Sequence, residues 1–174
     1  VYDRVSQSQQ YFSDEMVTFV NDKDQYPQIL TLGAGLPDYK DGSFSVAGLN
    51  FSFDGDVISG KQKKGNLVHT AYKFLNTPFL WGGRTPVGID CSGFTQMVYK
   101  INGYQLFRDA HQQASQGEVL SFIEECEPGD LAFFDNDEGE IIHTGIVLEN
   151  NYIIHCNGRV RIDRIDSSGI YNVD

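Results

Sequence analysis

The apolar positions of this chain change their period along its length. Before Ser59 they come as short runs, Ile29-Leu30-Thr31-Leu32 and Phe44-Ser45-Val46. Turn formers separate these runs at Tyr26-Pro27, Gly33-Ala34-Gly35, Leu36-Pro37-Asp38, Asp41-Gly42 and Asp54-Gly55. Runs of this length between such turns predict the strands of a small β-barrel. From Phe51 to Val57 apolar and polar residues alternate, which predicts a half-buried strand. The polar stretch from Ser59 to Gly65, carrying Lys61, Lys63 and Lys64, reads as a linker.

Beyond the linker the spacing becomes helical. Asn66 is placed to cap a helix running to about Asn76, with Leu67, Ala71, Phe74 and Leu75 on one face and Pro78 as its stop. A second helix is predicted from Cys91 to Ile101, where Phe94, Val98 and Ile101 recur and Asn102-Gly103 closes the last turn. A short helix is expected over His111 to Gln116. Strands are then predicted at Leu131 to Phe134, Ile141 to Leu148, Tyr152 to His155 and Val160 to Ile165, with turn residues between them. Helices followed by a run of hairpin-linked strands predict an α+β domain on an antiparallel sheet. The expected organisation is therefore a β-rich region over 1–65 and an α+β domain over 66–174.

Composition supports a packed core, with 40% hydrophobic and 13% aromatic residues among 174. A formal net charge of −11 argues against nucleic acid or an anionic membrane surface as the main partner. No apolar stretch is long enough to span a bilayer. The three cysteines, Cys91, Cys126 and Cys156, form no C-x-x-C pair, which excludes a zinc ribbon or a disulfide framework. No metal or cofactor is expected. Gly55 to Gln62 nearly spells a phosphate-binding loop, but Gln62 stands where a Mg²⁺-binding hydroxyl belongs and Asp54 and Asp56 would repel phosphate.

The chemistry concentrates in two places. A loop rich in glycine, Trp81-Gly82-Gly83 onward, delivers Cys91 to the first turn of the second helix, where unpaired N–H groups and the helix dipole favour a thiolate. The same N–H groups are disposed to stabilise an oxyanion. The competing reading is a buried cysteine acting as a small hydrophobe. His143 and His155 lie on consecutive predicted strands that should be antiparallel neighbours, which would set their imidazoles side by side. One imidazole could then take the thiol proton while a further polar group fixes its tilt. Two histidines merely satisfied within a sheet, or a metal site of Cys91, His143 and His155, are the alternatives.

These residues also carry a resemblance. From Thr77 to Asp163 the chain resembles the NlpC/p60 family of cell-wall cysteine peptidases. It shares W-G-G…D-C-S-G-F at Trp81 to Phe94, R-D…Q at Arg108, Asp109 and Gln113, G-D-L-x-F-F at Gly129 to Phe134, H-x-G-I at His143 to Ile146, and I-H at Ile154-His155. The resemblance implies a papain-like domain with Cys91 as nucleophile, His143 as base and His155 as the orienting third residue. Within the family the chain resembles the γ-D-glutamyl-diamino-acid endopeptidases, which often carry SH3-like barrels ahead of the catalytic domain. That likeness implies peptidoglycan peptides as partner, with Asp90, Ser92, Arg108, Asp109 and Trp81 lining a pocket for a substrate with a free amine. It implies work at the bacterial cell envelope, periplasm or outside, with cytoplasmic recycling as the alternative. Two positions depart from the pattern: Phe79 replaces a tyrosine and Ala110 a serine. These departures keep a second reading open, a peptidoglycan-peptide binding module with weak or no catalysis.

Overall fold

The structure, a computed structural model, describes residues 10–21 and 26–171; the outer ends of the two expected regions, 1–9 and 172–174, lie outside the described residues. Six short strands come first: β1 (Tyr11–Ser13), β2 (Val17–Asn21), β3 (Pro27–Thr31), β4 (Ser43–Val46), β5 (Leu49–Ser52) and β6 (Val57–Ser59). They pair antiparallel as β1 with β6, β2 with β3 and β4 with β5. Val20, Leu36, Phe44, Phe51 and Phe53 form an apolar cluster between them, with the Phe44 and Phe51 rings stacked at 5.2 Å. The alternation from Phe51 to Val57 predicted one strand, but the chain leaves β5 after Ser52, turns at Asp54-Gly55 and enters β6. Two acidic-glycine turn residues override the period there.

Helix α1 (Gly65–Lys73) starts one residue before the expected cap: Lys64 holds that position, and its side chain makes no capping hydrogen bond. The helix stops at Lys73 with Phe74 as its cap, and Asn76 beyond it takes a left-handed conformation, φ 69°. A tight ribbon of β7 (Arg84–Thr85) and β8 (Gly88–Ile89) leads into α2 (Cys91–Ile101). Helix α2 buries Phe94, Met97, Val98 and Ile101, and Phe74 from the end of α1 meets Phe94 edge-on at 6.0 Å. Gly103, at φ 80°, ends it as the sequence predicts. Helix α3 (Ala110–Gln113) begins one residue earlier and ends three earlier than expected.

Five antiparallel strands complete the chain: β9 (Leu131–Asp135), β10 (Ile141–Leu148), β11 (Tyr152–Asn157), β12 (Arg159–Asp166) and β13 (Gly169–Tyr171). Their order in the sheet is β13-β12-β11-β10-β9, so each strand lies beside its neighbour in sequence. Helix α2 packs across β10 and β11, and the main core gathers Leu67, Phe74, Phe94, Val98, Ile146, Ile154 and Val160 between helices and sheet. The α+β arrangement of helices on an antiparallel sheet is therefore present.

The first six strands are joined to this core at one point in particular. Leu32, from the turn after β3, is fully buried and belongs to the main cluster, not to the cluster beside it. Gly33 follows at φ 76°, and a Cβ there would lie 2.5 Å from the Met97 Cε and 3.0 Å from Ile101 Cγ1. Only glycine lets the turn seat this closely against the back of α2. Lys100 from that face donates to the Gly33 carbonyl at 3.1 Å, and Lys73 of α1 pairs with Asp14 at 2.7 Å.

Candidate active site

The loop, α2 and the sheet enclose an open cleft of about 1110 Å³. Each wall is built by a different device. On the helix wall, Asp90 takes an extended conformation, φ −100° and ψ 175°, and its Oδ1 accepts from the Gly93 N–H at 2.6 Å, so it caps α2. The cap places Cys91 at the first helical position, partly buried and facing the cleft. Gly93 has no room for a side chain, since a Cβ would lie 2.8 Å from Asp90 Oδ1 and would strike the Gly83 carbonyl. The loop, the cap and the helix thus lock together around Cys91.

Asp90 does more than cap. Its Oδ2 accepts from the Gly82 N–H at 2.8 Å, and Arg108 forks onto both oxygens, Nη2 to Oδ2 at 2.6 Å and Nη1 to Oδ1 at 3.0 Å. Arg108 Nη1 also donates to Ser92 Oγ at 2.9 Å. Burial works against the Asp90 charge, but Arg108 and the Gly93 and Gly82 N–H groups outweigh it and hold its carboxyl below the usual range. The Arg108 turn is itself pinned by Gln113, fully buried, whose Nε2 donates to the carbonyls of Ser92 and Phe107, each at 2.9 Å. Asp109 stands exposed at the rim, beside buried Ala110. Trp81 reaches out from the loop with 87% of its surface exposed, and Phe79 also lines the cleft at 43%.

On the sheet wall, β10 and β11 pair antiparallel, as the turn between them predicts, and Gly145 stands opposite His155. The bare Gly145 matters: a Cβ there would lie 2.7 Å from the His155 Cβ. His143 Nε2 and His155 Nδ1 are 2.7 Å apart, with the rings nearly perpendicular at 82°. His155 Nε2 lies 2.8 Å from Asp163 Oδ2 on β12, and Arg161 grips Asp163 through Nε to Oδ2 at 2.7 Å and Nη2 to Oδ1 at 2.8 Å. Hydrogen bonds from Arg161 and His155 outweigh burial and hold the Asp163 carboxyl below its ordinary value. Burial pushes both histidines down, His143 to about 4 with His155 adding to the effect.

The electrostatics differ from the sequence expectation in one respect. The helix start was expected to favour a thiolate, yet burial pushes the Cys91 thiol above its ordinary value, and the Asp90 charge adds to this. Backbone N–H groups of Thr144, Ser92 and Cys91 pull the other way without prevailing. Burial thus works against charge on both the Cys91 thiol and the His143 imidazole. Cys156 is buried and gives its thiol to the Ile89 carbonyl at 3.2 Å.

Sequence reasoning placed Cys91, His143, His155, Asp90, Ser92, Arg108, Asp109 and Trp81 at the site, and all eight line this one cleft. It passed over Asp163 and Arg161. The signal available was an acid and a base two residues apart on the strand expected to pair with that of His155. His69 and His111 are exposed; His69 stands away from the cleft, whereas His111 lies at its edge.

A cysteine at a helix start and a histidine pair on an antiparallel sheet thus line one cleft of an α+β domain. The model of the NlpC/P60 family matches residues 76–173, more than half of the chain, and the chain belongs to that family. It is 36% identical over 116 residues to the γ-D-glutamyl-L-lysine dipeptidyl-peptidase of Bacillus subtilis (strain 168), covering 64% of this chain and 39% of that protein. It is 39% identical over 105 residues to the probable endopeptidase p60 of Listeria seeligeri, covering 59% of this chain and 20% of that one. The chain thus spans well under half the length of these relatives. Among solved structures, an NlpC/P60 family protein from Bacillus cereus ATCC 10987 superposes with a TM-score of 0.81 at 22% identity, covering 97% of this chain and 62% of that one. The NlpC/p60 domain of the peptidoglycan hydrolase SagA superposes at 0.54 with 32% identity, covering 59% and 89%.

Proposed function

We propose that the chain is a cysteine peptidase that hydrolyses the amide between the γ-carboxyl of D-glutamate and a diamino acid in peptidoglycan peptides. The observation that carries this reading is the unbroken sequence of side chains from Asp163 through His155 to His143, ending in the cleft that also holds Cys91. The name of the Bacillus subtilis relative supports the reaction class and the substrate, and that of the Listeria seeligeri relative the reaction class.

In this mechanism His143 takes the Cys91 proton as the sulfur attacks the amide carbon. The tetrahedral oxyanion forms beside the N–H groups of Cys91 and Ser92, since those of Gly93 and Phe94 are already given to Asp90. The carbon–nitrogen bond then breaks, and His143 returns its proton to the leaving amine. Water next attacks the thioester carbon, passing its proton through His143 back to the sulfur.

Both Asp90 oxygens are occupied, so Asp109, exposed at the rim, is the carboxylate left to meet a substrate ammonium. Residues 1–65 are read as an SH3-like region ahead of a catalytic domain over 66–174, supported by their short antiparallel strands and their own apolar cluster. Such substrates place the activity at the bacterial envelope, or in the cytoplasm if it acts on recycled fragments.

Mass spectrometry of muropeptides incubated with the protein and with Cys91→Ala tests the reading. Cleavage at the γ-D-glutamyl bond by the first and none by the second is expected. Intact peptides with both, together with measurable binding, would favour the second reading, a binding module, which the bare Phe79 ring in the cleft supports.

A further inference from the structure

The contact between the two imidazoles holds one proton, and its location decides what His143 can do. A neutral imidazole has one N–H and one lone pair. At a separation of 2.7 Å, either His143 Nε2 donates to His155 Nδ1 or the reverse. In the first arrangement both rings carry hydrogen on Nε2 and the His143 Nδ1 keeps a lone pair. In the second both carry hydrogen on Nδ1, and His143 can only donate from it. The pair of rings is indifferent between the two; a third group must choose.

We infer that Asp163, acting from β12 without touching substrate, is the positioning residue that makes this choice for both histidines and leaves the His143 Nδ1 as the base. The inference rests on the peptidase reading above. An ionised carboxylate only accepts, so Asp163 Oδ2 at 2.8 Å obliges His155 to carry its hydrogen on Nε2. His155 Nδ1 is then an acceptor, and His143 Nε2 must donate to it. Arg161, directly opposite His155 in the strand register, holds Asp163 by both carboxylate oxygens and fixes the plane in which it receives that proton. The Phe134 ring, centred 6.0 Å from that of His143, confines His143 from the β9 side. Asp163 is 2% exposed, so water does not compete for the His155 proton.

The test reads proton positions directly. In protein labelled with nitrogen-15 at histidine, the unliganded wild type should show His143 and His155 both protonated on Nε2. Protonation of His143 on Nδ1 would overturn the inference without any variant being made. Asp163→Asn keeps an oxygen for Arg161 and turns an amide N–H₂ toward His155, so both histidines should switch to Nδ1–H. Alkylation of Cys91 by iodoacetamide at neutral pH should slow by at least about tenfold, and kcat on a cleavable wall peptide should fall by at least about a hundredfold with KM little changed. Unchanged tautomers and an unchanged alkylation rate in this variant would sink the proposal. The tautomer and alkylation readouts need no natural substrate, so a failure to cleave wall peptides would count against the peptidase reading and leave these two arms to decide the role of Asp163.

Discussion

On the helix wall of the cleft, the Asp90 carboxylate receives Arg108, Gly82 and Gly93 and has no oxygen left unengaged. On the sheet wall, Asp163 starts a line of donors and acceptors that runs outward through two rings and stops at His143, whose second nitrogen faces no protein partner among the contacts described. Both walls bury a carboxylate and pair it with an arginine, but only one is left open at an end. The same chemical parts thus serve two purposes. A closed circuit of charged groups fixes a backbone conformation and a helix start; an open one would hold a lone pair in place for the proposed reaction. The walls should therefore fail differently when broken.

The largest effect belongs to the open wall. His143→Gln should lower kcat/KM by about a thousandfold or more while the melting temperature at neutral pH stays near that of the wild type. The same variant should also flatten part of the acid limb of stability. The folded His143 titrates at about 4 against an ordinary 6.5, so between these values the unfolded chain binds a proton that the folded chain refuses. Wild-type stability should thus decline as pH falls from about 6.5 to about 4, and less steeply in His143→Gln, as measured by urea unfolding at each pH. Asp90 and Asp163, held below 3.8, act only at lower pH.

Breaking the closed wall should cost stability first. Arg108→Met strands the Asp90 charge, and because Arg108 is 31% exposed the loss should be about 2 kcal/mol, below the figure for a fully buried pair. A melting temperature unchanged in this variant would show that the Gly82 and Gly93 donors suffice. At the rim, Asp109→Asn should remove a roughly tenfold preference for substrates with a free amine over their acetylated forms, read in kcat/KM. The smallest effect expected is from Phe79→Tyr, which adds one hydroxyl to a ring lining the cleft. It should raise kcat severalfold at constant KM if the family's tyrosine donor is missed here. A fall in melting temperature would show instead that the ring's packing, not its chemistry, holds that position.

The sequence made the helix wall easier to read than the sheet wall, for a physical reason. A nucleophile at a helix start needs a cap, close-passing glycines and a stop, all local, and the segment from Trp81 to Gly103 displays each of them. The pairing of His143 with His155 was also within reach, because a short turn between two strands fixes their register. Asp163 and Arg161 act across a second strand pair, where the register depends on the turn at Asn157-Gly158, and a lone buried acid has no period of its own. The helix start alone argues for charge on the thiol, whereas burial, which no local pattern displays, pushes the Cys91 thiol the other way. In the first sixty residues the turns were legible, but the pairing of β1 with β6 closes a span that no local pattern announces.

Leu32 and Gly33 bear on how such proteins change over generations. A β-rich region joined by a polar linker looks exchangeable, a piece that recombination could replace with another of similar outline. Here an incoming piece would have to bring a leucine that fills the main core and, next to it, a residue without a side chain shaped to Met97 and Ile101. A donor lacking either would leave a void or a collision behind the helix that begins with Cys91. The two parts of the chain are therefore bound to a shared history, and a successful exchange would have to move the back of α2 along with the strands that rest on it.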